Sequence, residues 1–268
     1  MSTQSILVLL TEPPGARALL DAAVIAARAL DGEPHIDVLH VRLDPVSTIM
    51  PSEEVLTAER VRAVEGAAAT EGAKVYAVFE AWRAAGHDGH WQEVVGVPAD
   101  EVRRRGPAAA LVALKLPAPH PPSAEQAALQ AALFDSGRPA LVVPAGWHGG
   151  FGRHLAVGWR DSPTTRQALG ALRPWLAAAE TVTVLTVTDA APPAPDGPLA
   201  GLPGRVVLRT VAQGDAGDGA ALLAAAMDAG ADGLAMGAYR HGRMLEWMLD
   251  GVTEHVLHHA TIPLLMVH

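Results

Sequence analysis

Residues 231–268 carry the pattern that constrains the fold of this chain most. A short apolar run over 233–239 is followed by a loop with glycines, a segment with helical spacing over 254–260 and a second apolar run over 264–267. Apolar runs of that length predict buried strands, and the spacing between them predicts a helix. A buried strand that leads through a loop to a helix N-terminus is where α/β sheets bind anionic ligands. The pattern therefore predicts an α/β fold with a ligand site near its C-terminal end.

Short apolar runs alternate with helical segments through the rest of the chain as well. The predicted strands are Ser5–Leu10, His35–Val41, Trp91–Val95, Ala109–Leu116, Pro139–Val143, His154–Trp159, Thr181–Val187 and Arg205–Val211. The predicted helices are 16–30, a long segment capped by Ser52 that reaches about residue 85 with a break at Gly66 or Gly72, 98–105, 124–134 capped by Ser123, 163–179 and 217–229. Such alternation predicts a parallel sheet with helices on both faces.

The same order of elements occurs twice, which indicates an internal duplication. Gly149-Gly150 marks the boundary, so we expect one domain over residues 1–148 and a second over 149–268. A proline-rich loop over 190–198 replaces most of the long helix in the second half. We expect the halves to pack face to face about a pseudo-two-fold axis with their closing strands adjacent, because that pairing hides both edges.

The C-terminal segment reads Gly251-Val-Thr-Glu-His-Val-Leu-His-His-Ala-Thr-Ile-Pro-Leu-Leu-Met266 and closely resembles the C-terminus of universal stress proteins. In nucleotide-binding members the preceding loop reads Gly, two residues, Gly, nine residues, Gly, then Ser, Thr or Gly. Gly237 and Gly251 fit the first and last positions, whereas Arg240 and Asp250 stand where the second and third glycines belong. The whole chain resembles a tandem universal stress protein. That resemblance implies two doubly wound, adenine nucleotide alpha hydrolase-like domains that mimic the family's dimer.

The resemblance implies an adenine nucleotide such as ATP, with Mg²⁺, as the ligand of the second half. The residues it places at that site are Arg160, Asp161, Val187, Gly237, Arg240, Gly242, Gly251, Val252 and Thr253. In the first half, Thr11 stands where binding members have an adenine-contacting Asp, and a proline-rich loop over 116–122 replaces the glycine loop. Because such a loop has few N–H donors, we expect the first half to carry no ligand.

Two acidic residues of the second half have alternative interpretations. Asp161, one residue after the position of the adenine-contacting Asp, either serves the ligand or, with Ser162, caps the next helix, and capping chemistry favours the second. Asp250 would place a carboxylate where phosphate belongs, stabilised there by the helix dipole. We therefore predict that ATP binds weakly or not at all, and that Asp250→Gly combined with Arg160→Asp binds it more tightly.

The remaining candidate residues indicate structure rather than chemistry. His255, His258 and His259 lie on the last helix, where a metal site competes with the commoner exposed histidine, which we favour because no carboxylate partner is specified by spacing. Trp175 and Trp247 lie in apolar helical contexts typical of a core or interface. No Ser-His-Asp order, HExxH, Walker loop or Rossmann fingerprint occurs in the sequence.

Composition limits the classes of partner. A net charge of −9 without a basic stripe argues against nucleic acid. The absence of cysteine excludes disulfides and thiolate chemistry. The N-terminus lacks the features of a signal peptide, and no apolar run approaches the roughly 18 residues of a membrane span, so we expect a cytoplasmic protein.

Three functions remain open on the sequence alone. The first, which we favour, is a non-catalytic stress-response or regulatory module that senses adenine nucleotide, built as an intramolecular pseudo-dimer that could dimerise further or bind protein partners. The second is an enzyme of the same superfold that transfers or hydrolyses phosphate. The third is a ligand-free protein-interaction module. Fold cannot decide among them, because function resides in the site.

Overall fold

The computed structural model describes residues 4–43, 58–118, 123–187, 197–212, 217–238 and 251–268. Its strands form one ten-stranded sheet in the order β3-β2-β1-β4-β5-β10-β9-β6-β7-β8. The strands are β1 Ser5–Leu10, β2 His35–Leu43, β3 His90–Gly96, β4 Leu111–Lys115, β5 Ala140–Val143, β6 His154–Trp159, β7 Thr181–Val187, β8 Arg205–Val211, β9 Gly233–Gly237 and β10 Leu264–Val267. The helices are α1 Ala16–Ala27, α2 Ala58–Ala84, α3 Pro98–Arg105, α4 Ala124–Gln130, α5 Pro163–Ala171, α6 Arg173–Ala178, α7 Asp218–Asp228 and α8 Gly251–His259.

Counted from its own edge of the sheet to the centre, each half contributes its five strands in the same order, β3-β2-β1-β4-β5 in the first half and β8-β7-β6-β9-β10 in the second. Every described pairing is parallel except the central one, where β5 and β10 run antiparallel with Leu141 opposite Leu265. The predicted adjacency of the closing strands is therefore confirmed. The expected face-to-face packing is wrong: the two sets of five strands lie side by side in one sheet. Main-chain hydrogen bonding joins their edges, and both faces of the sheet are already covered by helices.

Two helical layers bury the sheet, as an alternation of strands and helices predicts. One face packs against α1, α2, α5 and α6 in a cluster that includes Phe79, Trp82 and Trp175. The other face packs against α3, α4, α7 and α8 in a cluster that includes Leu222 and Val256. Since α1 and α5 cover the same face, the two halves are related by an approximate two-fold axis perpendicular to the sheet. The division at residues 148 and 149 stays a prediction.

Local chemistry moves some boundaries from those that the sequence predicts. The helix expected over 163–179 is interrupted at Leu172, because Pro174 has no N–H for the continuing helix. The expected break in α2 at Gly66 or Gly72 is wrong, since α2 is continuous over its described length. A Cβ at Gly72 would lie 3.1 Å from His40 Nε2, so this glycine permits close packing on β2.

The predicted cap at Ser123 is confirmed, whereas α1 ends at Ala27, three residues before the predicted end at residue 30. Ser123 accepts from the backbone N–H of Gln126 in a capping box, and the helix continues as a π-turn over Ala131–Asp135 before Gly137 adopts a φ of +64°. The last helix is described from Gly251, so it includes the three residues that precede the predicted segment. The predicted cap at Ser52 lies outside the described residues. No helix in the described part of the chain is both long and apolar enough to cross a membrane.

Candidate functional site

A cavity of about 80 Å³ opens at the carboxyl ends of β6 and β9, the place predicted for a ligand. It lies where the chain turns to opposite sides of β6, with β7 on one side and β9 on the other. The lining residues come from three strands and the starts of three helices. They are Gly158, Trp159, Arg160, Thr165, Leu185, Asp218, Leu222, Met236, Gly237, Val252 and Thr253.

Gly158 opens the floor of this cavity. It is the fifth residue of β6 and pairs with Leu185, the fifth residue of β7. Leu9 holds the same place in β1, pairs with Leu39 and is buried. A Cβ at Gly158 would lie 3.2 Å from Leu222 Cδ2, so even a small side chain would reach into this space. The second half therefore has a cavity where the first half has a leucine.

A second glycine distinguishes the two halves at the next strand. Gly237 ends β9, and Lys115 ends β4 at the corresponding position. The Lys115 ammonium forms an ion pair with Glu12 and lies 3.5 Å from Glu125 Oε1. Thr11 donates to the same Glu125 oxygen at 2.5 Å. In the first half, these interacting side chains lie at the place where the second half has the cavity.

Asp218 supplies the most unusual polar atom of the cavity. Its Oδ1 is buried and has no hydrogen-bond partner among the described residues. Burial of an unpaired carboxylate oxygen is costly, so such an atom marks a place where a donor is needed. Trp159 Nε1 is buried in the same way, but this indole belongs to the apolar cluster on the opposite face of the sheet.

The structure brings four of the predicted site residues to the cavity: Arg160, Gly237, Val252 and Thr253. Their convergence follows from topology, since the carboxyl ends of parallel strands and the helix starts that follow them share one edge of the sheet.

Asp161 is not among the residues that line the cavity. Its carboxylate is half-exposed and forms an ion pair with Arg166 on α5. Ser162 accepts a hydrogen bond from the Thr165 backbone N–H at 3.1 Å and so caps α5. The helix-capping interpretation of this dipeptide is the one that agrees with the geometry.

The remaining predicted site residues either are not among the lining residues or lie outside the described part of the chain. Gly251, the first described residue of α8, is exposed and is not among the described lining residues. Val187 ends β7 opposite Val211. Arg240, Gly242 and Asp250, on which the predicted phosphate contacts depend, lie outside the described residues.

None of the three histidines of α8 is among the described residues that line the cavity, and His255 lies against Gly219 of α7. His255 and His259 stack with ring centroids 4.1 Å apart, and His259 Nδ1 is 2.9 Å from the His255 carbonyl oxygen. Burial lowers the pKa of His255, and the neighbouring His259 and His258 lower it further. No group of three or more potential metal ligands occurs among the described residues.

Sequence reasoning missed Gly158 and Asp218. Gly158 was readable as the residue in β6 that breaks an otherwise bulky strand and differs from Leu9 in the other half. Asp218 looks like an ordinary acidic residue in the first turn of a helix, and no spacing rule distinguishes it from one.

Sequence comparison gives one family. Residues 197–268 match the model of the Universal stress protein family. No curated protein matched the chain. The matched region contains α7, β9, α8 and β10, and therefore three of the six strands and helices that line the cavity.

Comparison with solved structures extends the likeness in fold to the whole chain. A universal stress protein from Archaeoglobus fulgidus DSM 4304 superposes with a TM-score of 0.65 at 16% identity, over 100% of this chain and 99% of that chain. A protein of unknown function from Pseudomonas aeruginosa PAO1 gives 0.60 at 12%, over 99% and 92%. A putative universal stress protein from P. aeruginosa UCBPP-PA14 gives 0.59 at 12%, over 99% and 93%. The fold is thus the universal stress protein α/β fold from end to end.

Proposed function

We propose that this chain is a universal stress protein, and that it acts as a non-catalytic stress-response or regulatory module that binds an adenine ligand in its second half. The observation that carries the proposal is the cavity at the carboxyl ends of β6 and β9, which Gly158 and Gly237 line without side chains. Its volume is several times the roughly 10–15 Å³ that one water needs, which suits entry of a planar ring.

The chemistry of the lining supports binding over catalysis. Leu185, Leu222, Met236 and Val252 present aliphatic or thioether carbon to the cavity. Such side chains hold a ring by burial of apolar surface and move no protons. Asp161, which follows the predicted adenine-contact position in the chain, is engaged with Arg166, so Asp218 is the one carboxylate among the described lining residues.

A single site per chain follows from the difference between the halves. Leu9 and Lys115 stand at the positions of the two glycines, and Lys115 is held by Glu12 and Glu125. An anion entering there would meet two carboxylates, and a ring would meet Leu9. We therefore propose that the first half stabilises the pseudo-dimer and that the second half binds the ligand.

Thermal shift with adenosine, AMP, ADP and ATP, each with and without Mg²⁺, tests this function, because a ligand of the native state raises the melting temperature by mass action. Gly158→Leu introduces into the cavity the side chain that the first half carries, and should abolish the shift. Gly170→Leu is the matched control, since Gly170 is exposed on α5 with nothing within 4 Å of an added Cβ. No shift with any ligand would contradict the proposal and favour a ligand-free interaction module; ATP turnover would favour the enzyme.

Calorimetric titration tests the predicted weakness of ATP binding. The wild type should bind ATP weakly or not at all, and Asp250→Gly with Arg160→Asp should bind it more tightly. Tight ATP binding by the wild type that these changes weaken would show that Asp250 serves the ligand, for example through Mg²⁺.

A further inference from the structure

We propose that the carboxylate of Asp218 is the acceptor that recognises the amino group of an adenine ring bound in the cavity. This assignment rests on the proposed function and adds to it the group that reads the base. It also places that recognition on α7, instead of on the residue that follows β6.

Asp218 lines the cavity, and its buried Oδ1 lacks a hydrogen-bond partner among the described residues. An acceptor that has lost water and gained nothing in the free protein gains most from a ligand that brings an N–H.

The position of Asp218 is fixed by the two glycines beside it in the chain. The next residue, Gly219, packs so closely on α8 that an added Cβ would lie 2.7 Å from the His255 Cβ and 3.0 Å from the Val252 carbonyl oxygen. Gly217, just before Asp218, has a φ of +87°, which glycine adopts readily. The start of α7 is therefore fixed against the helix that contributes Val252 and Thr253 to the same cavity.

The residues that line the cavity also limit the chemistry of the ligand. The surfaces of Leu185, Leu222 and Met236 suit the face of an aromatic ring, whereas the Asp218 carboxylate suits a donor on its edge. A phosphate brought to Asp218 would set like charges together in a partly buried site. The adenine amino group donates a hydrogen bond to the carboxylate in this assignment, and the aliphatic side chains pack on the ring.

The experiment compares adenosine with purine riboside, which differs from adenosine by the loss of the amino group, using calorimetric titration of the intact chain. The wild type should bind adenosine about tenfold or more tightly than purine riboside, as expected for a hydrogen bond to a charged group. Asp218→Ala should bind the two nucleosides equally. Asp218→Asn, which keeps an acceptor oxygen without the charge, should retain part of the preference. Asp161→Ala is the matched control, since that carboxylate lies outside the cavity lining, and it should keep the full preference.

The outcomes separate the two proposals. Equal affinities of the wild type for both nucleosides would overturn the role of Asp218 and leave the proposed function standing. Binding of neither nucleoside would overturn the proposed function and this assignment with it. An unchanged preference in folded Asp218→Ala, checked by circular dichroism, would also overturn the assignment. If Asp218→Ala does not fold, the wild-type comparison and Asp218→Asn decide.

Discussion

Lys115 shows at the scale of one residue how the first half closes its counterpart of the cavity. Its side chain is 12% exposed and lies between the carboxylates of Glu12 and Glu125. Without this cation, the two carboxylates would face each other in a partly buried place. The Lys115 side chain therefore stabilises the fold at the position that Gly237, a lining residue without a side chain, holds in the second half.

We expect Lys115→Met to lower the free energy of unfolding by about 1–3 kcal/mol, because it leaves partly buried carboxylates unpaired. Urea denaturation followed by circular dichroism measures the change. Lys74→Met, which removes an exposed pair with Glu71, is the control and should cost about 0–1 kcal/mol. Equal costs for both variants would show that the cluster around Lys115 is no more than a surface ion pair.

His255 should make stability depend on pH. Burial and the neighbouring histidines lower the pKa of His255, so the unfolded chain binds its proton more readily than the folded chain does. The stability contributed by the neutral imidazole is thus complete above the ordinary histidine pKa of about 6.5 and is lost as the pH falls below it. His255→Gln should reduce the loss of stability between about pH 7 and pH 5, measured by urea denaturation across that range. A steeper loss in the variant would contradict this reading.

A glycine inside a strand indicates the cavity, and the family's loop motif does not include such a position. The family loop directed attention to Gly237 and Gly251, whereas Gly158 lies inside a strand and matches no loop pattern. Its role becomes visible only from the register, which sets it against Leu185 and beneath Leu222. Asp218 required even more: the burial of one oxygen atom depends on packing that no sequence pattern encodes.

At the scale of elements, α6 ties the two halves together away from the central strand pair. Trp175 Nε1 donates to the Ala26 carbonyl oxygen at 3.0 Å, from α6 in the second half to the last turn of α1 in the first. Trp175 was predicted to belong to a core or interface, and it is buried in the cluster that includes α1. Trp247, predicted likewise, lies outside the described residues.

Trp175→Phe should lower the free energy of unfolding by about 1 kcal/mol more than Trp82→Phe does. Both side chains are buried, but the Trp82 indole N–H has no hydrogen-bond partner among the described residues, so its replacement removes packing alone. Chemical denaturation of the two variants gives the difference. A larger cost for Trp82→Phe would mean that the bond between α6 and α1 adds nothing to the joining of the halves.

Periodicity and caps predicted most elements because apolar spacing and turn residues act locally. Strands such as His154–Trp159 and Arg205–Val211 have the predicted bounds. The wrong predictions have two causes. At Pro174 the missing N–H interrupts the predicted helix, and in α2 tertiary packing stabilises a continuous helix across Gly72 despite the low helix propensity of glycine.

At the scale of the whole molecule, pairing of β5 with β10 turns two five-stranded sheets into one. The duplication predicted that these strands would meet, and the structure confirms it. It did not predict that the halves would lie edge to edge, because strand order and helix placement on both faces emerge only when all ten strands are assembled. Among the described residues, the result is a symmetric framework in which the second half has a cavity at the ends of β6 and β9 and the first half has interacting side chains at the corresponding place.

The most direct test of this asymmetry is an amide NMR titration of the intact chain with adenosine. Chemical-shift changes should concentrate at Gly158, Gly237 and Thr253, around the open cavity, while Thr11 and Lys115 stay unchanged. Changes centred on Thr11 and Lys115, with none at Gly158, would contradict the account, because they would place the ligand in the half whose site is closed.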